Sequence, residues 1–279
     1  MHTPSALPVS ISDKGFGPGT PLDNLKRLRA HGFTHLHFAH KWTFPDLLSD
    51  DELARWREDL AESGISVLDV HGCHPKGIQL WSGDAATRER AQEFFCHRLR
   101  VTHALGGDAM VYHVPCHVEP TPEVLGWFIE GLREVEPTAR ELGINVALEN
   151  HYYAENDRRA LSLAFETFDA DFIGFTFDPG HALISGNTQW LLEHCAPRLR
   201  ILHLNDNDTQ SDHHWNPLDP SGKADWTAIT AFIGESPYCK PLQLEVCWKE
   251  ERHGPHEVFL SEAFAIAKQL QAKVEANRQ

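Results

Sequence analysis

Three carboxylates and one imidazole occur near the ends of four short apolar segments of the sequence. They are Glu149, Asp178, His203 and Glu245. Apolar residues alternate with other residues along each segment, so on a β-strand these four side chains point away from the apolar face. Clustered carboxylates repel one another and lose hydration unless a cation joins them. Oxygen and nitrogen donors in this mixture suit one divalent ion (Mn²⁺, Co²⁺, Mg²⁺ or Zn²⁺), with positions left open for substrate. The four residues therefore predict a metal centre.

Histidine is abundant, with 19 in the chain against 25 lysines and arginines together. His71 and His113 end two earlier strand-like segments, and His181 follows Asp178 by three residues. We expect these three histidines to contact substrate or to support the metal ligands, with a plain structural role or further metal ligation as the alternatives. For several others the sequence predicts only surface or packing roles. These are His31, His35, His37, His40, His97 and His103.

Eight strand-length apolar segments alternate with helix-length amphipathic segments. The predicted strands are Leu7–Ser12, Thr34–His40, Ser66–Gly72, Ala109–Pro115, Asn145–Asn150, Gly174–Asp178, Arg200–Asn205 and Pro241–Val246. A helix-like segment follows each strand, and Thr188–Cys195 is the one between the sixth and seventh strands. Unbroken alternation over about 250 residues predicts an α/β fold, the (β/α)8 TIM barrel, in which the polar strand ends meet at one mouth. No linker-like segment interrupts the pattern, so residues 1–279 are predicted to form a single domain.

Aromatic residues beside the metal-bearing segments are suited to pack against the apolar faces of a substrate. Trp215 lies in a long polar segment, residues 206–224, and Trp248 follows Glu245 by three residues. The obvious cations near the last two strands are Lys223, Lys249 and Arg252. Because barrel phosphate sites use the loops after these strands, so few cations favour a neutral polyol, keto-sugar or glycoside over a sugar phosphate.

Acidic residues outnumber basic ones, 40 to 25, and the formal net charge is −15. This balance argues against nucleic acid as the partner. No segment is apolar over the length of a membrane span, and residues 1–12 lack the pattern of a signal peptide. The six cysteines form no Cys-x-x-Cys pair and are expected to be reduced thiols of a cytoplasmic protein. We therefore expect a small-molecule partner and no membrane.

Four segments of the chain are similar to motifs of a known family. They are Val146–Asn150, Phe175–His181, His203–Asn207 and Leu244–Val246. On these motifs the chain resembles the sugar-phosphate isomerase/epimerase superfamily, whose members have a xylose-isomerase-like TIM barrel. The resemblance implies a carbohydrate substrate. It also implies a homo-oligomer, since barrels of this family often form dimers or tetramers.

In the ketose 3-epimerase branch of that family, a Glu–Asp–His–Glu set binds Mn²⁺ or Co²⁺, and its two glutamates also move the proton. The resemblance thus assigns metal binding to the four residues named at the outset, and catalysis to Glu149 and Glu245. It further implies that Glu155, six residues after the first glutamate, contacts the sugar together with His181. The chain departs from that branch at Thr209, where the branch has a basic residue.

The predicted reaction is isomerisation or epimerisation of a sugar, by proton abstraction beside a carbonyl through a metal-stabilised enediolate. A leaving group on the enediolate would give β-elimination, so a keto-sugar or polyol dehydratase or lyase is the alternative. A trinuclear-zinc, apurinic-endonuclease-like phosphodiesterase is less favoured, although its nine-ligand pattern also has counterparts. These are His71, His113, Glu149, Asp178, His181, His203, Asp212, His214 and Glu245. A non-catalytic barrel subunit is the remaining alternative.

Overall fold

Parallel strands follow one another around a barrel in the computed structural model, which describes residues 7–43, 47–72 and 77–278. The strands are β1 (Val9–Ser12), β2 (His35–Phe38), β3 (Ser66–His71), β4 (Ala109–His113), β5 (Asn145–Glu149), β6 (Ile173–Phe177), β7 (Leu199–Leu202) and β8 (Leu242–Leu244). They pair in parallel in the order β7-β6-β5-β4-β3-β2-β1-β8. The predicted (β/α)8 TIM barrel is therefore confirmed.

The barrel closes between the last two strands, just beyond the regular part of β7. An isolated parallel bridge joins Leu204 to Leu244. Leu204 N donates to Gln243 O at 3.0 Å, and Glu245 N donates to Leu204 O at 3.1 Å. This closure sets His203 and Glu245, which lie beside the bridge, on neighbouring strand ends.

Helices surround the strands and connect them. Those described are α1 (Pro21–Ala30), α2 (Asp50–Ser63), α3 (Ala85–Ala104), α4 (Pro122–Leu142), α5 (Ala154–Thr167), α6 (Pro179–Ser185), α7 (Thr188–His194), α8 (Trp226–Glu235), α9 (Glu250–His253) and α10 (His256–Ala276). Helix α2 shows why they begin and end where they do. Ser49 and Glu52 cap its first turn reciprocally, and Gly64 ends it in the left-handed conformation at a φ of 69°.

Helix α6 is an addition to the sequence prediction, which placed only one helix between β6 and β7. Asp178 is its N-cap and accepts a hydrogen bond from His181 N at 2.8 Å, and Pro179 occupies the first helical turn. Proline suits that position because the N–H it lacks would have no partner within the helix. The turn of α6 therefore fixes Asp178 and His181 relative to each other.

Alternate residues of the strands face different environments. Val146 and Leu148 of β5 belong to the large apolar core, whereas Ala147 belongs to a separate small cluster with residues from β3, β4 and β7. Because side chains alternate along a strand, Glu149 shares the face of Ala147 and points into the barrel. The structure therefore confirms the prediction that Val146 and Leu148 of β5 face the helices and Glu149 faces the barrel interior.

Two observations bear on the environment predicted for the chain. No helix in the described ranges is both long and apolar enough to cross a membrane. The five cysteines that the structure describes are free thiols, at positions 96, 116, 195, 239 and 247. The sixth predicted thiol, Cys73, lies outside the described residues.

One buried carboxylate, that of Asp206, connects the two ends of the long segment after β7, residues 206–224. Asp206 Oδ1 accepts hydrogen bonds from the backbone N–H groups of residues 207, 223 and 224, at 2.9–3.1 Å. Its Oδ2 accepts from Trp226 Nε1 at 2.8 Å. Gly222 packs so closely that an added Cβ would lie 2.3 Å from Asp206 Cγ, so only glycine fits there. Asp206 therefore ties both ends of the segment to the barrel mouth.

We expect Asp206→Ala to lower the free energy of unfolding by roughly 3 kcal/mol, because it leaves several buried donors without an acceptor. Urea denaturation followed by circular dichroism measures the change. Asp171→Ala, at an exposed carboxylate, is the matched control and should change the value by less than about 0.5 kcal/mol. Equal effects of the two substitutions would contradict the role of Asp206.

Candidate metal centre and its cavity

The four predicted metal ligands lie together at the barrel mouth. Each offers one donor atom such that all four atoms lie within 4.8 Å of one another, and each residue is at most 1% exposed. Glu149 ends β5, while the other three directly follow β6, β7 and β8. Four adjacent strand ends thus position one oxygen-rich donor set, as parallel strands in a barrel require.

Two carboxylates of this set compete for one imidazole nitrogen. His203 Nδ1 lies 2.7 Å from Glu149 Oε1 and 3.3 Å from Glu245 Oε2. Burial lowers the pKa of His203, but the two carboxylates outweigh burial and raise this pKa well above its usual value. Positive charge is thus favoured beside the two carboxylates, and a bound divalent ion would supply more of it than a protonated His203.

Asp178 completes the donor set from a position fixed by neighbouring hydrogen bonds. Its Oδ1 accepts from His181 N at 2.8 Å, and its Oδ2 accepts from Asn205 Nδ2 at 2.8 Å. Burial raises the pKa of Asp178 to about 6, although His181 acts in the opposite direction. Three buried carboxylates and one imidazole, with donor atoms already converging, fit a divalent cation in an oxygen-rich site.

Two of the predicted substrate-contacting histidines lie on the other side of Glu149. His113 Nε2 is 3.2 Å and His71 Nε2 is 3.7 Å from Glu149 Oε2. His71 Nδ1 lies 3.0 Å from Gly72 O, so its N–H is directed at the backbone and Nε2 is left as an acceptor. These two histidines and Glu149 form a second group of converging donor atoms, within the same 4.8 Å limit.

A third group surrounds Asp212, in the long segment after β7. Asp212 Oδ2 lies 3.0 Å from His214 Nε2 and 3.5 Å from His181 Nε2, and accepts from Tyr152 OH at 3.0 Å. The Nδ1 atoms of both histidines face backbone carbonyl oxygens at 2.9 Å. Their Nε2 atoms are thereby aimed at the carboxylate.

Members of all three groups line one cavity of about 150 Å³, although Asp178 and His203 of the first group are not part of its lining. Its walls are Lys14, Trp42, His71, His113, Glu149, His151, Tyr152, His181, Asp212, His214 and Glu245. The cavity is small, polar and edged by aromatic rings. Those are properties of a site for a small polar molecule.

Lys14 is a site residue that the sequence reasoning missed. Its Nζ lies 2.7 Å from Glu245 Oε1 and 5.5 Å from the centre of the Trp42 ring. Burial lowers the pKa of Lys14, but the Glu245 carboxylate outweighs burial and raises it. Lys14 lies in a short 3-10 helix, Asp13–Gly15, that directly follows β1, so the alternation of the strand does not extend to it.

His37 was predicted to have only a surface or packing role, and the structure places it inside the barrel. It is fully buried; its Nδ1 lies 2.5 Å from Asp69 Oδ2, and its Nε2 lies 3.7 Å from Glu245 Oε1. Leu36 and Phe38 on either side belong to the apolar core. The same alternation that located Glu149 therefore locates His37 on the inner face.

Three other predicted substrate contacts do not line the cavity. Glu155 lies on α5 with its side chain 68% exposed, 3.9 Å from Arg159 Nη1. Trp215 stacks on His213 with ring centres 4.3 Å apart, and Trp248 Nε1 donates to Gly254 O at 3.1 Å. These side chains have partners elsewhere on the rim and outer surface.

Comparison with known proteins agrees with this architecture. Residues 25–269 match the family model described as xylose isomerase-like TIM barrel. The chain is 28% identical to the uncharacterized protein y4fM of Sinorhizobium fredii (strain NBRC 101917 / NGR234), over 91% of this chain and 90% of that protein.

Two solved structures are similar in fold. One is of L-ribulose 3-epimerase, with a TM-score of 0.76 and 19% identity, covering 97% of this chain and 95% of that one. The other is of the IOLI protein with a binding zinc atom, with a TM-score of 0.75 and 16% identity, covering 98% and 99%. At these identities the likeness establishes the fold.

We expect Asp178→Asn to weaken Mn²⁺ binding by at least roughly 100-fold, since even residues that only support metal ligands change affinity by roughly 10–100-fold. Asparagine can still accept from His181 N, so helix α6 keeps its cap. Isothermal titration calorimetry of chelator-treated protein measures the affinity. Glu155→Gln removes an exposed carboxylate and should leave it unchanged. Equal Mn²⁺ affinity of Asp178→Asn and the unaltered protein would contradict the assignment.

Proposed function

The chain belongs to the family of xylose isomerase-like TIM barrels, and on that premise we propose that it is a divalent-metal-dependent sugar isomerase or epimerase. The observation that carries this proposal is the convergence of Glu149, Asp178, His203 and Glu245 beside a small polar cavity. A solved neighbour named as a sugar epimerase and another named with a bound zinc atom support it. The lyase alternative has no comparable support among these neighbours.

In the proposed reaction, Glu149, Asp178, His203 and Glu245 hold one divalent ion. When bound, the ion would polarise the substrate carbonyl and offset negative charge on the adjacent oxygen. Glu149 and Glu245 approach the cavity from β5 and β8, so they flank a substrate placed between them. One glutamate removes the proton from the carbon beside the carbonyl, and the other returns a proton. Return to the opposite face of the same carbon gives an epimer, and return to the neighbouring carbon gives an isomer.

The cavity also indicates the class of substrate. Lys14 is the single lysine or arginine among its lining residues, and it is already paired with Glu245 at 2.7 Å. A phosphate group would lack a free cation within this lining, so we propose a neutral keto-sugar. The free described cysteines support the proposal of a cytoplasmic protein.

The decisive measurement is deuterium incorporation from D₂O into ketopentoses and ketohexoses, L-ribulose included, by the Mn²⁺-loaded protein. We expect exchange at the carbon beside the carbonyl, detected by NMR. Glu149→Gln and Glu245→Gln should each slow it by roughly 10²–10⁴-fold, the usual contribution of a general base or acid.

Glu155→Gln is the matched control for this exchange and should retain the full rate. Mn²⁺ content is measured in every variant, which separates loss of the base from loss of the ion. Exchange that persists in both active-site glutamine variants, or that is absent with every ketose, would overturn the proposal.

Lys14 should assist the same reaction through its charge. Three ligand carboxylates exceed the charge of a divalent ion by one, and Lys14, 2.7 Å from Glu245, offsets the remainder. Lys14→Met is therefore expected to lower kcat by roughly 100-fold, the scale on which one group that stabilises developing negative charge acts. Steady-state kinetics at saturating Mn²⁺ measures this, with exposed Lys249→Met as the control. An unchanged kcat in Lys14→Met would remove Lys14 from the reaction.

A second candidate function rests on the two further donor groups. His71 and His113 converge on Glu149, and His181 and His214 face Asp212. Seven of the nine positions of the trinuclear pattern therefore line one cavity, and the other two, Asp178 and His203, belong to the donor group of Glu149 and Glu245. A metal-dependent phosphodiesterase would use such a centre. The net charge of −15 disfavours a DNA substrate.

Metal analysis after loading with Zn²⁺ separates the two candidates, together with incubation on duplex DNA carrying an abasic site. The isomerase proposal predicts intact DNA. Three zinc ions per chain with strand cleavage would instead establish the phosphodiesterase.

A further inference from the structure

We infer that His113, Cys116 and His151 form an additional binding site for a borderline-soft divalent ion such as Zn²⁺ or Co²⁺. One nitrogen of each histidine and the Cys116 Sγ lie within 4.8 Å of one another. All three residues are buried, at 5–6% exposure. The site is distinct from the oxygen-rich centre and does not depend on the proposed sugar chemistry.

The donor types of this site select a different metal. One thiolate and two imidazoles are ligands that zinc and cobalt bind well, whereas Mg²⁺ and Mn²⁺ favour oxygen donors. Binding releases the thiol proton to solvent, because the thiolate is the ligand. Three protein ligands leave the fourth position of a tetrahedral ion for water or a substrate oxygen.

The loops that carry Cys116 and His151 are fixed by the same helix. Asn156, in the first turn of α5, donates through Nδ2 to Pro115 O at 2.9 Å and to Val118 O at 2.8 Å, on both sides of Cys116. The next residue, Asp157, accepts from His151 N at 2.8 Å through Oδ1. Two buried side chains of α5 therefore fix the positions of the loops that carry the Cys116 thiol and the His151 imidazole, as a preorganised metal site requires.

An unsatisfied polar atom points to a ligand at this position. His151 Nδ1 is buried and has no hydrogen-bond partner within the part of the chain that the structure describes. Leaving such a group bare costs about 1–3 kcal/mol. An ion bound through Nδ1 would satisfy this nitrogen.

His113 joins the site to the rest of the cavity. It is the last residue of β4, its Nε2 lies 3.2 Å from Glu149 Oε2, and one of its ring nitrogens belongs to the donor group with Cys116 and His151. An ion held through Cys116 would thus lie beside the cavity wall. The proposal places a sulfur ligand at the mouth of a barrel whose other donors are oxygen and nitrogen.

The test is cobalt titration of the reduced, chelator-treated full chain, followed by absorption spectroscopy. We expect a thiolate-to-cobalt charge-transfer band in the near ultraviolet that saturates at one thiolate-bound ion per chain and disappears when Zn²⁺ is added. Cys116→Ser should abolish the band. Cys195→Ser, which alters another buried thiol that does not belong to this donor group, should retain it.

Two outcomes would overturn the site: cobalt binding with no thiolate band, or a band that persists in Cys116→Ser. The first would assign any second ion to His71, His113 and Glu149 instead. Anomalous diffraction at the zinc edge on the unaltered protein gives an answer that does not depend on whether Cys116→Ser folds. A zinc peak within bonding distance of Cys116 Sγ supports the site, and its absence with zinc at the other ligands overturns it. Either result leaves the deuterium-exchange test of the sugar chemistry unaffected.

Discussion

Burial of negative charge at one end of the barrel is the constraint on which the site depends. Glu149, Asp178 and Glu245 are almost inaccessible to water and lie within a few ångströms of one another. Bare carboxylates in such a place would be strongly unfavourable. Partial compensation comes from Lys14, which pairs with Glu245, and from His203, whose pKa the neighbouring carboxylates raise. A bound divalent ion would complete this compensation. The repulsion among the buried carboxylates, which destabilises the fold, would therefore also favour binding of the ion.

Periodicity in the sequence was sufficient to predict the barrel and to bring the four central residues together. Alternation of apolar and polar residues along β5 places Glu149 on the inner face, and β6, β7 and β8 follow the same rule. Alternation predicts the direction of a side chain only where the β-strand is regular up to that residue. Applied with the same consistency to β2, the rule would also have identified His37, whereas Lys14 lies in the 3-10 helix that follows β1, where strand alternation no longer applies.

Local patterns in the sequence did not predict the start of helix α6 or the directions of three side chains outside the strands. Glu155 falls in the first turn of α5, and the direction of that turn places its side chain in solvent beside Arg159. Helix α6 was missed because Asp178-Pro179-Gly180 is equally typical of a loop. Trp215 and Trp248 follow metal-bearing segments in sequence, but local partners, His213 and Gly254 O, hold their rings elsewhere. The direction of a side chain in a loop is set by its tertiary contacts, and a local sequence pattern does not contain that information.

The closure of the barrel has a mechanical consequence. Strands β7 and β8 are short and meet through one isolated bridge, Leu204–Leu244, whereas the other neighbouring strands share between two and five pairs of residues. His203 and Glu245 stand on opposite sides of this seam. An ion bound by both residues would link β7 to β8 where the two strands share the fewest paired residues. Occupancy of the proposed site would then add metal–ligand bonds to the few hydrogen bonds that close the barrel between β7 and β8.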